Sequence, residues 1–242
     1  GRPNDCGAAR GASTCWCFEA VIPADVVARV PPADQGVRCV CAACAAGRTN
    51  HCGRIAFGHL EPGLQSGFCE STGGGWSASM VAHTSQLLAV PDALSDEAAV
   101  LVEPTACAVH AARSVAAGGP RQTVAVIGAG TLGLLTIAAL RSEAAIDTLL
   151  ATAKHPHQKA LATALGADQV VAPRELARVV RSRTGAFVLD GGQLTDGVDL
   201  VVDCVGSEAS LAQALQVVAP GGEVLVVGMP GHTTLDLTGL WH

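Results

Sequence analysis

Thr123-Val124-Ala125-Val126-Ile127 runs directly into Gly128-Ala129-Gly130-Thr131-Leu132-Gly133, and then into an apolar stretch that ends at Leu140. The first segment is a short, β-branched, apolar run of buried-strand type. The second is a G-x-G-x-x-G, which means little by composition in a chain with 28 glycines. Its weight comes from position, after an apolar strand and at the opening of an apolar helix, the setting in which this turn binds a dinucleotide. Gly128 is expected to permit the tight turn, Gly130 to let the backbone approach a pyrophosphate, and Gly133 to let helix and strand pack closely. The free N–H groups opening the helix, at Thr131 and Leu132, would meet the pyrophosphate at the positive end of the helix dipole. A P-loop is excluded, because no Gly-Lys-Ser or Gly-Lys-Thr follows.

The same alternation continues outward. Ser95-Asp96-Glu97 reads as a helix start with Ser95 as N-cap and acids in the first turn. Ala106 to Ala116 forms a helix stopped by Gly118-Gly119-Pro120. After the glycine turn come a second strand (Thr148 to Thr152), a helix opened by Pro156 and running to Leu165, and a short third strand at Val170-Val171. A third helix (Pro173 to Arg183), a fourth strand (Val198 to Asp203), a helix (Glu208 to Val218) and a fifth strand (Glu223 to Val227) complete the series. Repeated β-α-β units require a parallel sheet with helices on both faces, so residues 96–242 are expected to form a doubly wound α/β domain of Rossmann type. Residues 1–95 have a different texture, rich in Gly, Pro and Cys with short apolar stretches, and read as strands and loops.

Composition bounds the function. Almost half of the 242 residues are hydrophobic, enough for a sizeable core, and the formal charge of -6 argues against nucleic acid or an anionic membrane as the main partner. No apolar run of about 18 residues or more is present, so no membrane span is expected. The start, Gly1-Arg2-Pro3-Asn4-Asp5-Cys6, has no secretory signal core and no initiator Met, which suggests processing or truncation. Of ten cysteines, Cys39, Cys41, Cys44 and Cys52 crowd one short stretch, whereas the long C-terminal half has only Cys107 and Cys204. Such clustering reads as metal ligation in a reducing cytoplasm, with reactive or merely buried thiols as the alternative. Cys107 and Cys204, in apolar contexts, are expected to be buried and unreactive.

Cofactor choice is read at the end of the second strand, where an acidic residue would bind the ribose 2′-hydroxyl of NAD. The chain has Ala151-Thr152-Ala153-Lys154-His155 there, with no acid. Without a carboxylate a 2′-phosphate meets no repulsion, and Lys154 supplies a cation. NADP(H) is therefore favoured over NAD(H); a solvated Lys154 with loose selectivity is the alternative.

Several phrases in order resemble the medium-chain dehydrogenase/reductase superfamily, which includes the zinc-dependent alcohol, sorbitol and threonine dehydrogenases. They are Cys41-Ala42-Ala43-Cys44-Ala45-Ala46-Gly47 to Cys52, Val90-Pro91-Asp92, Leu101-Val102-Glu103-Pro104 with His110-Ala111, the glycine turn, Leu165-Gly166-Ala167-Asp168, Asp203-Cys204-Val205-Gly206 and Pro220-Gly221-Gly222. The resemblance implies a partial β-rich GroES-like domain over residues 1–95 ahead of the Rossmann domain. It implies Cys41, Cys44 and Cys52 as structural-zinc ligands, with Cys39 substituting for the family's fourth cysteine, whose place is taken by Arg38. It places Glu103 at or beside a catalytic zinc, with a buried junction carboxylate as the alternative, and adds Val205 and Gly206 to the cofactor site. Dimers or tetramers are the family's usual assemblies.

The implied activity is hydride transfer between NAD(P) and an alcohol or its aldehyde or ketone, with zinc polarising the substrate oxygen. Against it stands a gap. The family's C-G-x-[DS] and G-H-E segments are missing: Cys6-Gly7 is followed by Ala8-Ala9, and His59 lies downstream of the cysteine lobe. The chain also stops at Leu240-Trp241-His242, soon after the fifth strand, where the family continues with a sixth. Both termini look short. A catalytically inactive or fragmentary dinucleotide-binding module is the alternative expectation, and a zinc-independent reductase of the same fold a third.

Overall fold

A computed structural model of the protein describes residues 89–229 and 231–235, together with Ala42 and Ala46. The chain divides into two compact units, Gly1–Pro91 and Asp92–His242. The GroES-like domain expected over 1–95, its last residues apart, and Cys39, Cys41, Cys44 and Cys52 lie outside the described residues. So do His59 and any sixth strand.

In the second unit, α1 (Asp96–Ala99) is capped as its sequence suggests, the Ser95 hydroxyl accepting from the Ala98 amide at 3.3 Å. Then follow α2 (Val102–Ala117), β1 (Arg121–Ile127), α3 (Thr131–Glu143), β2 (Ile146–Thr152), α4 (Pro156–Ala164), β3 (Gln169–Val171), α5 (Leu176–Thr184), β4 (Val198–Asp203), α6 (Glu208–Val217) and β5 (Val218–Val226). The strands form one parallel sheet in the order β3-β2-β1-β4-β5. This is the Rossmann-type doubly wound arrangement.

The carboxyl-terminal stretches of β1, β2 and β4 are apolar on both sides because both sheet faces are covered there. Val124 and Val126 of β1, with Leu149, Ala151, Leu200 and Val202, pack against α2 and α3 through Ala108, Ala112, Val115, Ile137 and Leu140. The alternate residues, Ala125 and Ile127 with Leu150, Val198 and Val201, pack against α5 and α6 through Leu176, Val180, Ala214 and Val217. The period of two along a strand thus feeds two separate cores.

Of the boundaries that differ from expectation, three have a clear physical reason. Helix α2 begins at Val102 rather than Ala106, taking in Glu103 and Pro104. A first-turn proline costs nothing there, since its missing N–H has no intrahelical partner anyway. The helix expected over Pro173 to Arg183 is split into a 3₁₀ turn, Pro173–Glu175, and α5. Strand β5 starts at Val218 rather than Glu223 and runs through Pro220-Gly221-Gly222. The extra residues are absorbed by a register shift against β4 between Val198 and Leu200, and Gly221 takes φ +76°.

Arg141, near the end of α3, ties three elements together. Its guanidinium donates to the carbonyls of Gly166 (2.6 Å) and Ile146 (2.9 Å) and pairs with the Asp168 carboxylate, which also accepts from the Leu149 amide at 2.6 Å. The Leu165-Gly166-Ala167-Asp168 phrase therefore positions β2 and β3 rather than any ligand. Replacing Arg141 by Met leaves two carbonyls and a carboxylate without this donor. We expect it to lower stability by about 1–3 kcal/mol, read from urea unfolding.

Candidate dinucleotide site

The carboxyl ends of β1, β2 and β4 converge on the glycine turn, the place where open α/β sheets bind ligands. Gly128 leaves β1 with φ +95°, a conformation that side chains avoid. Its amide donates to the buried Thr152 hydroxyl at 2.9 Å, fastening the turn to the end of β2. A Cβ at Gly133 would run into the carbonyl oxygen of Gly128, so only glycine lets α3 start this close to β1. Gly130 is different. It has ordinary dihedrals (φ -76°, ψ -174°), and a Cβ there would meet nothing within 4 Å.

Open space thus lies beside Gly130, at the amino end of α3. No side chain caps that helix, and the first-turn amides of Thr131, Leu132 and Gly133 lack intrahelical acceptors. A pyrophosphate fits this cradle: space beside the backbone, free donors and the positive end of a dipole.

β4 contributes the facing loop. Asp203 is fully buried, and its carboxylate accepts from the amides of Val205 (2.9 Å) and Gly206 (3.2 Å) and from the Ser210 hydroxyl (2.8 Å). Its carbonyl accepts from the amides of Val227 and Gly228, both at 2.9 Å. One residue therefore shapes the Val205-Gly206 loop and binds the end of β5 to it. Val205 stands against Gly128, its Cγ2 where a Gly128 side chain would be. A Cβ at Gly228 would lie 2.6 Å from the Gly206 amide nitrogen, so this approach also needs glycine.

Thr152, Asp203 as an anchor, and Gly228 are absent from the sequence-derived site. Their signal is weak, because a threonine ending a strand and an aspartate before Cys-Val-Gly look like ordinary strand ends until the strands are side by side.

At the end of β2, Ala153 is buried and no carboxylate follows. Lys154 and His155 are both exposed there; His155 is the N-cap of α4, its amide donating to Gln158 Oε1 at 3.3 Å.

The remaining candidates are chemically quiet. Glu103 sits exposed in the first turn of α2, where its Oε1 accepts from Cys107 Sγ at 3.6 Å. Cys107 is exposed rather than buried, a correction to the expectation, because α2 turns Ala108, Ala111 and Ala112 to the core instead. Partial burial, then the charge and hydrogen bond of Glu103, raises its thiol pKa. Burial pushes the Cys204 thiol up to about 11, so it is protonated at neutral pH. Among the described residues no group of three or more His, Cys, Asp or Glu side chains is placed to hold a metal. Glu103 with its neighbour Cys107 does not by itself fit a zinc ion, and no step through zinc follows from them.

Comparison with known proteins agrees with this geometry. Residues 131–241 match the zinc-binding dehydrogenase family, and residues 1–46 match a second family, cysteine-rich CWC. The chain is 29% identical to sorbitol dehydrogenase of Bacillus subtilis over 84% of its own length and 53% of that protein's. It superposes on 2R,3R-butanediol dehydrogenase of Bacillus subtilis with a TM-score of 0.54 and 30% identity, covering 70% of this chain and 46% of that one. A putative zinc-binding dehydrogenase of Sinorhizobium meliloti bound to NADP gives a TM-score of 0.59 at 25% identity, covering 84% and 55%. The chain spans about half the length of these relatives. The glycine turn, the five-stranded sheet and these matches together support the medium-chain dehydrogenase/reductase superfamily for the Rossmann half of the chain.

Proposed function

We propose that the protein is an oxidoreductase that moves a hydride between NADP(H), or NAD(H), and a small alcohol or its aldehyde or ketone. The observation that carries this reading is the uncrowded backbone at Gly130 beside the uncapped amino end of α3. Thr131, Leu132 and Gly133 would hold the pyrophosphate. Lys154 and His155 would face the adenosine ribose, and Val205 and Gly206, held by Asp203, would border the nicotinamide. The cofactor supplies the hydride chemistry; the protein orients it and excludes water. The sorbitol and butanediol dehydrogenases among the relatives favour a polyol or secondary alcohol as substrate. They also weigh against an inactive module. A homodimer or homotetramer in the cytoplasm, acting on a small molecule rather than on nucleic acid or membrane, completes the reading; among the described residues no helix is long and apolar enough to cross a membrane.

Zinc belongs to the proposal through Cys39, Cys41, Cys44 and Cys52 as a structural lobe; Glu103 stands at the position of the family's catalytic zinc, without further ligands beside it among the described residues to hold a second ion. The cysteine-rich CWC match favours a second reading of the first 46 residues. It takes in Cys39, Cys41 and Cys44 together with Cys6, Cys15 and Cys17, as a module separate from any GroES-like domain.

Two glycine variants separate binding from folding. Gly130→Ala meets open space and ordinary dihedrals, so it should fold normally yet lose dinucleotide affinity by about ten-fold or more, read by fluorescence titration with NADPH. Gly133→Ala should instead cost about 1–3 kcal/mol of stability, because α3 must move off β1. Equal, unimpaired binding by Gly130→Ala would sink the cradle.

Elemental analysis should give about one zinc per chain, as for a closed cysteine site. We expect Cys52→Ser to remove it and Cys15→Ser to leave it. The reverse pattern would transfer the metal to the cysteine-rich module.

A further inference from the structure

The exposed end of β2 holds a feature the dinucleotide site has not used. His155 and His157 stack with ring planes 4° apart and centroids 5.5 Å apart, next to Lys154, and all three are exposed. Two histidines in this position do nothing for the core. They also sit beside buried Ala153, in the region where a ribose-binding acid is missing.

We propose that His157, with His155, is a specificity-determining residue that recognises a phosphomonoester on the adenosine ribose, so that preference for NADP(H) over NAD(H) depends on pH. The inference rests on the dinucleotide reading above and goes further by naming the side chains and the group they recognise. The stacked rings are poor hosts for two positive charges, which repel at this spacing. A phosphate dianion beside them reverses that balance, since it pairs with both imidazoliums and with the Lys154 ammonium.

The surroundings add little that would compete. On α4 itself the other charged group is Lys159. Of the elements packed on α4, strand β3 carries no charged residue, and α3 carries Arg141 and Glu143, both in its last turn. Arg141 is committed to Asp168, and Glu143 pairs with Arg113. The turn after β3 brings Arg174 and Glu175. The Glu175 carboxylate caps the Ala172 amide at 3.0 Å and stands 3.9 Å from Arg178. No acid among these is free to take the phosphate's place.

The sign of the pH effect is diagnostic. A phosphomonoester loses its second proton near about pH 6, so a site with Lys154 alone would hold NADP(H) equally well or better as pH rises above that value. An imidazole ordinarily loses its charge between about pH 5 and 8. A site that relies on imidazolium charge must therefore lose its preference over the same rise.

The test is the ratio of NADPH to NADH affinity for the full chain, by fluorescence titration at about pH 6.5 and about pH 8.5. The ratio cancels everything the two cofactors share. In the unaltered protein it should fall by about three- to five-fold, as for an exposed charge pair. In His157→Gln it should be lower and fall less with pH, in the double variant His155→Gln/His157→Gln lower still and insensitive to pH, and in His157→Lys it should stay above that of the unaltered protein at the higher pH. Thermal unfolding of each variant checks that α4 is intact. A ratio that is flat or rises with pH in the unaltered protein, while both cofactors bind, overturns the role of His157 and leaves the dinucleotide reading standing. Failure of both cofactors to bind overturns the dinucleotide reading and this inference with it.

Discussion

The contact between Gly133 and the Gly128 carbonyl sets the geometry around it. With no side chain at Gly133, α3 begins almost on top of β1, and its amino end lies at the carboxyl ends of the strands. Close packing of this kind is intolerant, because interiors have no slack for even one methyl group. The consequence is a turn whose amides stay free and whose open side, at Gly130, faces outward. Thr152 and Val205 then hold that turn from two neighbouring strands, so its shape does not depend on a bound ligand to create it.

A second layer of polar bonds keeps the strand ends in register with this turn. Asp203 accepts three hydrogen bonds through its carboxylate and two through its carbonyl, drawing β4, β5 and the start of α6 together. At the other end of the sheet, Asp199 accepts from the amides of Gln122 (2.7 Å) and Thr123 (2.9 Å). Buried or half-buried carboxylates are costly unless their acceptors are filled. Here they are filled by backbone donors of the adjoining segments, so each acid becomes a joint. The functional edge of the sheet thus inherits its precision from groups that would never touch a cofactor.

The two halves of the chain differ in how their parts are held together. The Rossmann half has a full physical explanation from strand alternation to free amides. The first 46 residues match cysteine-rich CWC, whereas the zinc lobe expected from the dehydrogenase resemblance draws on three of the same cysteines. Spacing alone does not divide the cysteines between these assignments, since both use short thiolate intervals that suit a closed metal site.

The sequence by itself determined the alternation of strands and helices, the place of the glycine turn and the role of each of its glycines as backbone. Those follow from local causes: apolar period, breakers, caps such as Ser95, and a turn that only glycine can make. Boundaries were less legible where propensity misled. The helix expected from Ala106 reaches back to Val102, since a first-turn proline breaks nothing, and the strand expected from Glu223 reaches back through Pro220-Gly221-Gly222 by a register shift. Tertiary structure alone decided that Thr152 would bond Gly128 across 24 positions of sequence. It alone turned Cys107 outward beside Glu103 and stacked His155 on His157. The physical reason is that such contacts depend on which strands lie side by side and which helix face meets the sheet. Strand order β3-β2-β1-β4-β5 is settled by packing both faces at once, and no local signal encodes it.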